Sequence, residues 1–184
     1  MSPAARRYFG CCLPVLLLAF GCGTFALLGY ASRVAVQVSG IPDDSMAPLL
    51  RPGWTILVNN MAYWTDEPSV GNVVTVGYDG KWALRRVVAV PGETIEVKDG
   101  QVIVDGQPRD PGYAPHGEGP DQPPVELGPD MYFVLADDRS APDSRIWGPV
   151  HRDDIYGLAV FQIDNQREFH AVLVTPTPAP DAAP

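Results

Sequence analysis

No charged residue interrupts the chain between Arg7 and Arg33. Every account of the fold must first place that run. Tyr8 to Ser32, about 25 residues, would extend roughly 37 Å as a helix, enough to cross a hydrocarbon core about 30 Å thick. Arg6 and Arg7 flank its N-terminal side. Positive charge favours the cytoplasmic side, so residues 1–7 are expected inside, 8–32 as a single transmembrane helix, and the remainder outside. Two competing readings stay open. A cleaved secretory signal would have a shorter apolar core, although Ala31-Ser32 could serve as a cleavage site. A lipid-modified cysteine would follow small residues, a pattern that Ala19-Phe20-Gly21-Cys22 imitates poorly. Cys11, Cys12 and Cys22 all fall within the apolar run, which leaves the rest without a disulfide framework or thiolate metal ligands.

Beyond the run, 20 prolines and 18 glycines, counted over the whole chain, argue against long helices. Short β-branched runs take their place: Val34–Val38, Thr55–Val58, Asn72–Val76, Trp82–Val90, Thr94–Val97, Gln101–Val104, Met131–Leu135 and Gly157–Ile163. Asp99-Gly100 between two alternating runs predicts a hairpin. The expectation is a mainly β domain of antiparallel, partly coiled sheets over 34–170 on one N-terminal transmembrane helix. Residues 109–128, rich in Pro, Gly and acidic side chains, read as an exposed insertion, and 171–184 as a disordered Pro/Ala-rich tail. The net charge of −9 makes a nucleic-acid partner a poor expectation, because phosphate neutralisation needs clustered Lys and Arg.

Three segments carry chemistry. Ser45-Met46-Ala47-Pro48-Leu49-Leu50 follows the apolar run. Arg85-Arg86-Val87-Val88-Ala89-Val90-Pro91-Gly92-Glu93 ends a strand. Asp137-Asp138-Arg139 precedes Asp143-Ser144-Arg145-Ile146-Trp147-Gly148-Pro149-Val150. In this order they resemble the motif boxes of bacterial type I signal peptidases, membrane-bound serine proteases with a Ser/Lys dyad, written SMxPTL, KRVVGLPGD and GDNR…DSRxWGxV. The resemblance covers roughly Val38 to Ile163. It implies a signal-peptidase-like β fold, Ser45 as nucleophile with its backbone N–H in the oxyanion hole, and Arg139, Asp143, Ser144 and Arg145 as structural support. The implied substrate is an extended pre-protein segment bound as an added strand, with the lipid bilayer as the other partner. Met46, Ile41 and Trp54 are the candidates to face lipid or line the substrate groove. No cofactor or metal is implied, and Asp137, Asp138 and Asp143 lack calcium-loop spacing.

The departures from that pattern matter as much. Arg85 stands where the family has its general base, and a guanidinium stays protonated near neutral pH. Asp43 falls two residues before Ser45, where the family commonly has an oxyanion-stabilising serine, and a carboxylate would repel an oxyanion there. Leu49, Trp54 and Asn72 replace a threonine and two aspartates. The loop from Arg139 to Asp143 is one residue short, which leaves Ser140 as the nearest residue to orient the base. Lys81 shares a strand face with Arg85 but lies about 13 Å further along. Lys98 sits in a turn, and His116, His151 and His170 read as solvated. A pairing of Arg85 or Arg86 with Asp43 or Asp44 would let the exchanges compensate each other.

Two function classes follow. One is a signal peptide-removing endopeptidase at the outer face of the cytoplasmic membrane. The other is a catalytically silent relative that binds extended peptides or a membrane partner. A third, an anchored accessory domain, would have no affinity for a signal peptide at all.

Overall fold

The computed structural model describes residues 35–110, 112–113 and 115–172. The expected transmembrane helix over 8–32 and its cytoplasmic flank lie outside the described residues, as does most of the expected tail. Among the described residues no helix is long and apolar enough to cross a membrane. The chain divides after Val36, and the described residues from Gln37 onward form one compact unit.

Among the described residues, twelve strands make two antiparallel sheets. The larger has the order β1 (Val36–Gly40), β2 (Thr55–Asn59), β11 (Ile155–Ile163), β3 (Val73–Tyr78), β4 (Lys81–Ala89), β9 (Met131–Leu135), β10 (Val150–His151), with β12 (Phe169–Ala171) paired to β11. The smaller runs β7 (Gln107–Pro108), β6 (Gln101–Val104), β5 (Thr94–Lys98), β8 (Gln122–Glu126). The mainly β expectation holds. Central strands of the larger sheet are apolar on both faces, as in Val73–Val76, which is buried throughout. One face packs Ile41, Met46, Leu50, Ile56, Val58, Val73 and Leu84 together, and the other packs Val74, Val76, Val87, Val134 and Ile155. A third cluster joins Val88, Ala89, Phe133 and Leu135 to Ile95, Val97, Val102 and Val104 of the smaller sheet.

Three Asp-Gly pairs turn the chain: Asp79-Gly80, Asp99-Gly100 and Asp105-Gly106, each with both residues at positive φ. That backbone matches the twist of a two-residue hairpin, and glycine adopts it without steric cost.

Two boundaries differ from expectation. Gln122–Glu126, inside the supposed insertion, is strand β8 at the edge of the smaller sheet, and Leu127 after it is buried. Pro123 and Pro124 hide the strand in the sequence, yet an edge strand tolerates residues that cannot donate to a ladder. The other lies at position 171, where the tail was expected to start. Ala171 pairs with Phe161, and Val172 is buried against Ile41 and Met46.

Candidate active site

Ser45 sits on a turn that the core pins at its next residue. Met46 is 1% exposed and its carbonyl accepts the Leu50 N–H at 2.9 Å. The loop closes on itself through Ile41 N–H to Trp54 O at 2.8 Å and Gly53 N–H to Ile41 O at 3.2 Å. Met46 and Ile41 were expected to line a groove, but both lie within the core, at 1% and 4% exposure. Their side chains anchor the serine turn.

Asp43 opens the turn. Its Oδ1 accepts the Ser45 N–H at 3.1 Å and the Ser45 Oγ–H at 2.6 Å. The first bond is an Asx-turn, in which an aspartate caps the backbone two residues on. The Ser45 N–H expected in an oxyanion hole therefore points at a carboxylate.

Arg85 reaches the same serine from β4. Successive residues of a strand face opposite ways, so Arg85 and Arg86 part company. Arg85 Nη1 donates to Ser45 Oγ at 3.0 Å and to its neighbour Leu84 O, while Nε and Nη2 both donate to Pro142 O, at 2.8 and 2.6 Å. Its guanidinium lies 5.2 Å from the Trp147 ring centroid, and Trp147 stacks on Tyr78. Burial lowers the Arg85 pKa, and the charges of Asp43 and Asp143 oppose that shift. The bonding pattern is donor-only, that of a guanidinium and not of a base. Arg85 was expected to pair with Asp43 or Asp44. It meets Asp43 through the Ser45 hydroxyl, which bridges the two. The orienting group is the Pro142 carbonyl, not Ser140, whose hydroxyl turns away to Asp138 Oδ1 at 2.7 Å.

The third segment closes the site. Asp138 N–H donates to Ser45 O at 2.9 Å, a direct backbone tie to the serine turn. Asp143 caps the short helix α1 (Ser144–Trp147), accepts from Ala136 N–H, and pairs with Arg145 at 2.7 Å. Ser144 Oγ accepts from Val134 N–H, and Arg145 Nη2 reaches Arg139 O. Arg139, 3% exposed, donates to Ala136 O and to the Tyr113 hydroxyl. Together these bonds fix the loop that carries Pro142.

Three features of the site escape a reading of the sequence. The Pro142 carbonyl is a backbone group and leaves no trace in residue types. The buried Arg86–Asp137 pair, with bonds of 2.9 and 2.6 Å, joins residues 51 apart. Tyr113, from the supposed insertion, covers Arg86 and Arg139 at 4.3 and 5.8 Å from ring centroid to guanidinium carbon. Its burial raises the hydroxyl pKa. Its lone aromatic ring among prolines and glycines was the one available signal.

The remaining candidates lie apart. Lys81 and Lys98 are exposed at strand ends. His116, His151 and His170 are exposed beside Asp138, Asp153 and Asp164 at 3.8, 3.4 and 3.2 Å. Asp164, Glu168 and His170 bring possible ligand atoms within 4.8 Å of one another. Asp164 Oδ1 there is already taken by the Gln166 and Glu168 N–H groups.

A family model described as signal peptidase, peptidase S26, matches residues 12–163. A probable signal peptidase I-1 of Synechocystis sp. is 35% identical over 133 residues, covering 66% of this chain and 68% of that protein. A signal peptidase I of Leptolyngbya laminosa is 29% identical over 151 residues, covering 76% and 74%. Thylakoidal processing peptidase 1 of Arabidopsis thaliana is 27% identical over 158 residues, covering 78% of this chain and 46% of its own. With the three segments meeting at one serine and a family match across most of its length, the chain belongs to the signal peptidase family, peptidase S26.

Proposed function

We propose that this chain is a membrane-anchored serine endopeptidase that removes signal peptides from exported pre-proteins, with Ser45 as nucleophile. The anchor is the apolar run over 8–32, and the catalytic unit stands at the outer face of the cytoplasmic membrane. The observation that carries the reading is the placement of Ser45 Oγ between the Asp43 carboxylate and the Arg85 guanidinium, at 2.6 and 3.0 Å. The Asx-turn accounts for the Asp43 bond to the Ser45 N–H, but not for the two contacts on the hydroxyl itself. A hydroxyl that is to become a nucleophile needs its proton drawn off and its developing charge met. Arg139, Asp143, Ser144 and Arg145 support the loop behind it. The substrate is an extended segment near the cut, added as a strand.

A second reading, a relative that binds extended peptides without cutting, draws support from Arg85 itself, which cannot serve as base. Cleavage of a fluorogenic pre-protein in detergent micelles by the full-length chain separates the two. Cleavage that is lost in Ser45→Ala is expected. Binding of the pre-protein without cleavage, together with activity gained by Arg85→Lys, would establish the silent binder instead.

A further inference from the structure

The serine hydroxyl has one proton to give, and the geometry decides where it goes. A guanidinium has no acceptor, so the 3.0 Å contact from Arg85 Nη1 must donate into Ser45 Oγ. Among the described residues, the other partner of that oxygen is Asp43 Oδ1 at 2.6 Å, a length typical of a hydrogen bond to a charged oxygen. The proton therefore lies on the line to Asp43. The carboxylate is held there by its own backbone tie to the Ser45 N–H, 3.1 Å away. No lysine approaches: Lys81 and Lys98 are exposed at strand ends.

We propose that Asp43 is the general base for Ser45, with Arg85 supplying the positive charge beside the reacting oxygen. The inference rests on the endopeptidase reading above. Ser45 Oγ forms a bond to the scissile carbonyl carbon as its proton passes to Asp43 Oδ1, and the carbonyl π pair moves onto the oxygen. Collapse of the tetrahedral intermediate breaks the C–N bond. The amine leaves with the proton that Asp43 returns, and the acyl group stays as an ester on Ser45. Water then attacks the ester while Asp43 takes its proton. The Oγ–C bond breaks, and Ser45 recovers its hydrogen from Asp43. The cycle is proton-neutral and needs no co-reactant. Arg85 remains protonated throughout and favours negative charge on Oγ. Pro142 O, which accepts from two of its nitrogens, keeps the guanidinium in place.

A structural role for Asp43 would be the Asx-turn alone, and one substitution separates the two. Asparagine retains the carbonyl oxygen that accepts the Ser45 N–H but cannot take up a proton. The test uses the full-length protein in micelles with two readouts: cleavage of a fluorogenic pre-protein and covalent labelling of Ser45 by a fluorophosphonate. Asp43→Asn is compared with wild type and with Asp44→Asn, a neighbouring carboxylate outside the site. Thermal unfolding checks that the fold persists. The expected result is a loss of about 10²–10⁴-fold in both readouts for Asp43→Asn, the usual contribution of a general base, with Asp44→Asn unchanged. A loss smaller than about tenfold in a folded Asp43→Asn overturns the assignment while leaving the endopeptidase reading intact. A wild-type chain that neither cleaves nor labels overturns both, and the two failures are thereby told apart.

Discussion

Arg86 brings its charge to a place almost closed to water. It and Asp137 are each 1% exposed, and they meet through two parallel hydrogen bonds. Gly71 O and the Tyr113 ring take up the remaining sides of the guanidinium. Taking two ions out of water costs several kcal/mol per ion, so the pair is tolerable only as a pair. Asp137→Ala should destabilise the protein by about 3–5 kcal/mol, because it strands Arg86 without a partner. The double change Arg86→Met with Asp137→Leu should cost less than Asp137→Ala alone. Urea unfolding of the wild type and these two variants measures both claims. Tyr132 offers a different single-residue test. Burial, helped by its bond to Glu67, raises its pKa to about 12. A phenol that holds its proton more tightly when folded stabilises the fold fully below its unfolded pKa, near 10, and that contribution is lost as the pH rises towards 12. Stability to urea should decline across this alkaline window, and Tyr132→Phe should flatten the decline.

Strands and turns were the most legible level of the sequence, because period-two burial and Asp-Gly pairs are local signals. Met131–Leu135 begins and ends where its apolar run does. The hairpin at Asp99-Gly100 follows from two residues alone, and Gly100→Val, placed at φ 75°, should cost about 1 kcal/mol or more in thermal stability. Asp79-Gly80 and Asp105-Gly106 carry the same pair of residues and form the same turn. β8 and β12 escaped notice because an edge strand is selected by its neighbours and not by its own composition. The serine, the arginine and the acidic box were legible as the corners of a site. The Pro142 carbonyl and the Arg86–Asp137 pair were not, since contacts between distant residues leave no local pattern. Glycine inside a strand has its own reason here. A Cβ at Gly157, beside a bulge in β11, would lie 2.6 Å from Val58 Cγ1 and 3.0 Å from Asn59 O. A Cβ at Gly77 would meet only the outer end of the half-exposed Tyr156 ring. Gly157→Ala should therefore destabilise by about 1–3 kcal/mol, and Gly77→Ala by less, in matched thermal melts.

At the scale of the molecule, the last described residues help hold the first. β12 lies on β11, and Val172 enters the cluster that contains Ile41, Met46 and Leu50. Val172 thus supports the turn that carries Ser45. Removing residues 169–184 should lower stability by at least the roughly 1.5–3 kcal/mol of one buried valine, and removing 173–184 alone should leave Val172 in place. Comparing the two truncations by denaturant midpoint checks the expectation.

The backbone tie from Asp138 to Ser45 spans 93 positions, and the Pro142 clamp on Arg85 spans 57. A ribosome releases the serine first and its keepers last. While the chain is being made, Ser45 therefore emerges without the groups that hold its surroundings. The serine turn gains its final supports only after most of the domain has been translated.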